Sequence, residues 1–257
     1  AKWLARLPTT RMPAGQQADV IVALRIAGAR RATLRPRLAR MARRSPGYAR
    51  TPGAAAKIVV ASAAAGVDPR RLGGVDYLAR MRRGGVAPGR FGSTAFDHGL
   101  AMIALRAAGR PVPRGAVTAL RASRSGPGWS FDLDPGDPPD LDSTALSVIA
   151  LRAAGVRATN PVVRSATTWI ARKRAGGGWT SASGTAANAN STALATRALL
   201  ATGRRPTSSL AFLRSLQERS GAVRHTRSRG GNRALATIDA VAPLAGVSLA
   251  SGIGPPT

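Results

Sequence analysis

The residues of this chain best placed to do chemistry are two carboxylates at the start of DLDSTALSVIALRAAG, Asp140 to Gly155, where Asp140 and Asp142 flank Leu141 before an apolar stretch. A carboxylic acid hands on a proton under mild conditions only if burial or a neighbouring carboxylate raises its pKa. A pair of aspartates at the polar doorway of a buried helix supplies both influences. Just upstream, FDLDPGDPPDLD (Phe131 to Asp142) gathers five of the eleven acidic residues. Its Asp132, Asp134 and Asp137 echo the alternating oxygens of a calcium loop but lack the downstream bidentate Glu. The loop is therefore expected to pair with surrounding arginines at a helix amino end, and neither a metal nor a cofactor is expected. The chain has no Cys, which removes disulfides, thiolate zinc sites and cysteine nucleophiles. Its two histidines, His98 and His225, are expected to be structural rather than ligands.

The elements that must hold these residues recur along the chain. NANSTALATRALLATG (Asn188 to Gly203) and STAFDHGLAMIALRAAG, which ends at Gly109, repeat the same polar doorway, apolar helix and closing glycine. Weaker copies end at Gly28, Gly66 and Gly246, and the intervals along all six glycines are 38, 43, 46, 48 and 43 residues. A period of that size marks a repeat architecture. Between the copies lie amphipathic segments such as LRPRLARMARR (Leu34 to Arg44), VDYLARMRR (Val75 to Arg83) and VVRSATTWIARKR (Val162 to Arg174), with WLARL from Trp3 as a shortened first member. These segments have one wet face, whereas the glycine-ended copies are apolar nearly all round and so must be buried on all sides. Glycines suit the left-handed carboxyl-terminal caps, and Ser143 and Ser191 are expected as amino-terminal caps.

Six outer and six inner helices with the inner set buried predict an all-α fold, an α/α toroid built as a double ring of six helical hairpins. One domain over residues 1–250 and a tail over 251–257 are expected. Phe96, Asp142 and Asn190 each stand 13 residues before a closing glycine, so they should converge at one mouth of the ring, with Asp140 and Asn188 nearby on its rim. Helix amino ends and concavity coincide there, which makes these five the candidate ligand-binding positions.

The chain resembles the terpene cyclase and prenyltransferase repeat family, squalene–hopene cyclase-like, whose QW signature joins an aromatic, a Gln five residues later, a Gly and a Trp. FLRSLQERSGAV (Phe212 to Val223) carries Phe212, Gln217 and Gly221, and WIARKRAGGGW (Trp169 to Trp179) carries both aromatics with Arg174 in the Gln slot, a slot that holds Arg82 and Arg124 in two other copies. In class II cyclases of that family, a DxDD motif followed by Thr and Ala opens an inner helix, and its middle Asp protonates the substrate. Asp140, Leu141, Asp142, Ser143, Thr144 and Ala145 match that motif except that Ser143 replaces its last Asp, so the resemblance implies Asp142 as proton donor to a polyprenyl substrate. The resemblance to the zinc-dependent prenyltransferase branch and to toroidal thioester proteins stops at the missing Cys. Toroidal glycosidases, needing only two carboxylates, stay open. Against cyclisation stand the lost Asp, a single toroid, only ten aromatics to face a carbocation, and the Asn188 and Asn190 of the next doorway. The reading adopted is a toroid without competent chemistry, acting as a binding module or scaffold. Cyclisation through Asp142 is the alternative.

The charge is lopsided: 39 basic against 11 acidic residues, net +28, with a single Glu at Glu218. Such a surface attracts RNA, DNA and heparin-like glycans without a specific site. No helix-turn-helix, zinc finger or phosphate-binding loop is visible. A high-GC coding bias explains the Arg, Ala, Gly and Pro. The scarcity of Glu on wet helix faces also fits a surface made more basic than that of a parent protein. The chain lacks an apolar run of membrane-spanning length, and it is expected to be a soluble monomer, cytoplasmic or secreted with its signal removed.

Overall fold

The structure, a computed structural model, describes residues 2–182, 184–228 and 230–248. The expected tail over 251–257 lies outside the described residues. The chain runs through α1 (Lys2–Arg6), α2 (Ala14–Ile26), α3 (Arg31–Ala42), α4 (Ser45–Tyr48) and α5 (Pro52–Ala64). It continues through α6 (Tyr77–Arg83), α7 (Ala95–Ala107), α8 (Arg114–Ala122) and α9 (Leu141–Ala153). It ends with α10 (Pro161–Arg172), α11 (Ala189–Ala201), α12 (Thr207–Ser215) and α13 (Arg233–Leu244). Among the described residues there is no strand, only isolated bridges that close turns, such as Ser125 with Gly128 and Trp129 with Asp140.

The inner helices α2, α5, α7, α9, α11 and α13 each pack on the next, and α13 returns to α2, so the ring closes. Outer helices α3, α6, α8, α10 and α12 lie against it, and α1 fills the seam between α13 and α2. Composition explains the division. In α9 only Asp142 and Arg152 escape full burial, whereas α8 buries just Ala116 and Leu120. At roughly 1.5–3 kcal/mol per large apolar side chain buried, the inner helices supply most of what holds the ring. SPGY forms the one-turn helix α4, where Pro46 presets a helical φ in the first turn.

Each inner helix ends alike. Gly28, Gly66, Gly109, Gly155, Gly203 and Gly246 all have positive φ, and the next residue donates its N–H back to the carbonyl five residues before itself, as Val156 does to Leu151. The starts differ from expectation. The caps are Asp140 and Asn188, whose side-chain oxygens accept from the N–H groups of Ser143 and Ser191 at 2.8 and 2.9 Å, so the serines are the capped residues rather than the caps.

A second recurring device ties each aromatic turn to the following inner helix. Trp129 N donates to Thr144 Oγ1 at 3.0 Å, Trp179 N to Thr192 Oγ1 at 2.9 Å and Val223 N to Thr237 Oγ1 at 2.8 Å. The indoles of Trp129 and Trp179, both fully buried, also donate to the carbonyls of Leu120 and Ile170 on the preceding outer helices. In the third repeat His98 takes the Thr position: Phe91 N donates to its Nδ1 at 3.0 Å, so Nε2 carries the proton and donates to Ala116 O at 3.0 Å. Burial holds the His98 pKa below its usual value, against the hydrogen bond to Ala116. This neutral imidazole is structural.

Candidate functional site

The threonine-and-histidine device fixes the register of the inner helices, and with it the layers of a central cavity of about 300 Å³. Two residues before each Thr or His lie Phe96, Asp142, Asn190 and Leu235, and two residues after lie Leu100, Leu146, Leu194 and Asp239; all eight line the cavity. Asp19 and Lys57 join the second layer, their side chains paired at 2.7 Å. The second layer is therefore a collar with three leucines on α7, α9 and α11 facing Asp239, Asp19 and Lys57 on α13, α2 and α5. Below it lie Val22, Val60, Arg197 and Ala242. Neighbouring inner helices meet at matching heights, as Ser191 with Asp142 and Lys57 with Asp19 do, so they run in the same direction.

Phe96, Asp142 and Asn190 are thus brought together around one cavity. Asp140 and Asn188 are not among its lining residues: their side chains are occupied in capping α9 and α11, and their backbones bridge to Trp129 and Trp179. The acidic loop does not pair with arginines as expected. Among the described residues the ion pairs are Lys57 with Asp19, Arg70 with Asp68 and Arg233 with Glu218. The side chains of Asp132, Asp134 and Asp137 stand in solvent, and Arg90 reaches the loop through the Asp132 carbonyl. No group of acidic residues and histidines among the described residues is arranged to hold a metal ion.

Electrostatics single out two carboxylates. Burial pushes Asp142 up to about 6, opposed by a hydrogen bond from Ser191 Oγ (3.2 Å to Oδ2) and reinforced by the charge of Asp140. Its Oδ1 is buried with no hydrogen-bond partner among the described residues. Burial likewise pushes Asp239 up to about 6, against a 2.6 Å hydrogen bond from Asn190 Nδ2 and the charge of Arg197. Since the Asn190 nitrogen is spent on Asp239, its oxygen accepts from His225 Nδ1 at 2.9 Å. That chain orients the Asp239 carboxylate. On Lys57, burial is outweighed by the charge and hydrogen bond of Asp19, which hold the ammonium above its usual pKa.

Sequence reasoning missed Asp19, Lys57, Arg197 and Asp239. The available signal was a charged residue in the middle of a helix that is otherwise apolar all round. A group of that kind is buried at a cost unless it faces a cavity or a partner.

A closed double ring with a partly polar central cavity defines this molecule as an α/α toroid. In sequence it matches no protein family and no curated protein. Among solved structures, the apo type II terpene cyclase MstE from Scytonema superposes with a TM-score of 0.66 at 15% identity, covering 90% of this chain and 86% of that one. A variant of that cyclase in complex with its substrate geranylgeranyl dihydroxybenzoate gives 0.63 at 14% identity over 93% and 88%. A wild-type glycosidase gives 0.55 at 14% identity over 79% and 69%. A terpene cyclase and a glycosidase share this ring, so the likeness speaks to fold alone.

Proposed function

We propose that the toroid is a binding module whose central cavity takes a small, largely apolar molecule. The observation that carries this reading is the collar: in a cavity at the lower end of ligand-site volumes, three leucines on α7, α9 and α11 face Asp239, Asp19 and Lys57, with Asp142 and Asn190 above them and Arg197 below. Ligand sites need that combination, apolar area for affinity and sparse polar groups for orientation. Phe96 is the only aromatic side chain lining the cavity among the described residues, which fits holding a molecule better than steering a carbocation. Titration calorimetry with 1-octanol tests it, with saturable equimolar binding expected; no saturable binding overturns it.

A second reading rests on Asp142, whose raised pKa and unpartnered Oδ1 suit a proton donor. In that reaction the Asp142 proton adds to a terminal alkene, the carboxylate remains, ring closure uses the next π bond, and loss of a proton ends the sequence. Incubation with geranylgeranyl substrates followed by product analysis separates the two: the binding reading expects recovered substrate. Turnover abolished by Asp142→Asn would establish the cyclase.

The exterior supports a third property, non-specific association with RNA, DNA and heparin-like glycans. Arg40, Arg43, Arg44, Arg82, Arg83, Arg172, Arg204 and Arg205 all stand exposed, and few acidic side chains are available to offset them. Among the described residues no helix is long and apolar enough to cross a membrane.

A further inference from the structure

Arg197 lies seven residues beyond Asn190 on α11, about 10 Å deeper along the ring axis. Only 9% of it is exposed, yet it lines the cavity. Its Nε is buried without a partner, and no hydrogen bond or ion pair to the guanidinium is formed by any of the described residues. Asp239 and Asp19 act on it through charge alone. Asp19 is already engaged by Lys57, and one oxygen of Asp239 is engaged by Asn190. A guanidinium carries five N–H donors in a planar fork, and leaving even the Nε donor buried and unmet is costly for a charged group. Above it, Leu194, Leu146 and Leu100 form the aliphatic side of the collar.

We infer that the cavity takes a small amphiphile with a carboxylate at one end, seated by the Arg197 fork, and an aliphatic body against the three leucines. This deepens the binding-module reading and rests on it. The fork matches a carboxylate in geometry and charge. Lys57 is spent on Asp19, so among the described residues lining the cavity Arg197 is the cation left without an ion pair. The volume, about ten times that of a liquid water molecule, suits a chain of medium length rather than a long lipid.

The test is titration calorimetry of octanoate, 1-octanol and octylammonium into the full chain and into Arg197→Met. Salt is kept near 150 mM so that the exposed arginines are screened. Octanoate is expected to bind one per chain and at least about tenfold tighter than octanol, as for one charge-assisted hydrogen bond pair gained. In Arg197→Met, the preference for octanoate over octanol should disappear. Octanoate binding no tighter than octanol, or binding unaltered in Arg197→Met, overturns the assignment but leaves the binding module standing. Failure of all three probes overturns both. Should Arg197→Met not fold, a crystal structure of the unaltered protein with octanoate decides: carboxylate oxygens within hydrogen-bond distance of Arg197 support the inference, and a carboxylate placed elsewhere overturns it.

Discussion

Asp142 carries a cost that a purely structural residue would not. Its pKa is raised from 3.8 to about 6, so the folded protein holds that proton more tightly than the unfolded chain. The stability linked to it is complete below the unfolded value and is lost as pH rises through about 6. Asp142→Asn keeps an acceptor for Ser191 and removes the charge. The variant is therefore expected to be more stable than the parent by about 2–3 kcal/mol near pH 8, with the gap closing below about pH 4. Denaturant unfolding of both proteins across that range checks it; a gap independent of pH would mean that Asp142 is not a buried titrating acid. Thr192 illustrates the opposite kind of residue. It sits in the doorway motif but serves the fold, accepting from the Trp179 N–H. Thr192→Val strands that buried donor, and a loss of about 1–3 kcal/mol is expected with ligand binding intact in the folded fraction.

At the scale of the helix, closing glycines and all-apolar copies made the ring legible, because burial on every side and a left-handed cap both leave sequence marks. Gly155 tests that cap cleanly: its φ is +86° and nothing lies within 4 Å of an added Cβ, so Gly155→Ala isolates backbone strain. A loss of about 1 kcal/mol is expected by thermal or denaturant unfolding. What stayed hidden was the register of the last repeat. Thr237 stands nine residues before Gly246, whereas Thr144 and Thr192 stand eleven before theirs. Counting back from the glycines therefore misplaces α13 by two residues. Counted from the threonine, Leu235 falls at the doorway and Asp239 in the collar, where the cavity has them. The rim residues Asp140 and Asn188 cap their helices and do not line the cavity: a side chain at a helix start can cap or face a ligand, and sequence does not separate the two. Two of the arginines in the QW slots serve the fold: Arg124 donates to Ser165 on α10 and Arg174 to Ser208 on α12, clipping adjacent outer helices together.

The whole molecule sets a basic exterior against a cavity of mixed charge. At net +28 the exterior should hold duplex DNA or heparin through counterion release alone. Affinity is expected to fall by about 10³-fold or more between about 50 and 200 mM salt, with no sequence preference. Fluorescence anisotropy at several salt concentrations reads this directly, and tight binding that survives high salt would point to a specific polyanion site instead. The cavity should be indifferent to that screening when its ligand is neutral. Whether the ring's interior receives a small molecule is read by calorimetric titration of 1-octanol into the parent and into Leu194→Trp, whose larger side chain fills the collar from α11. Equimolar binding to the parent is expected, with the negative heat-capacity change of apolar burial, and none to a Leu194→Trp variant whose far-ultraviolet circular dichroism is unchanged. Equal binding to both proteins, or binding to neither, would contradict a ligand-receiving interior.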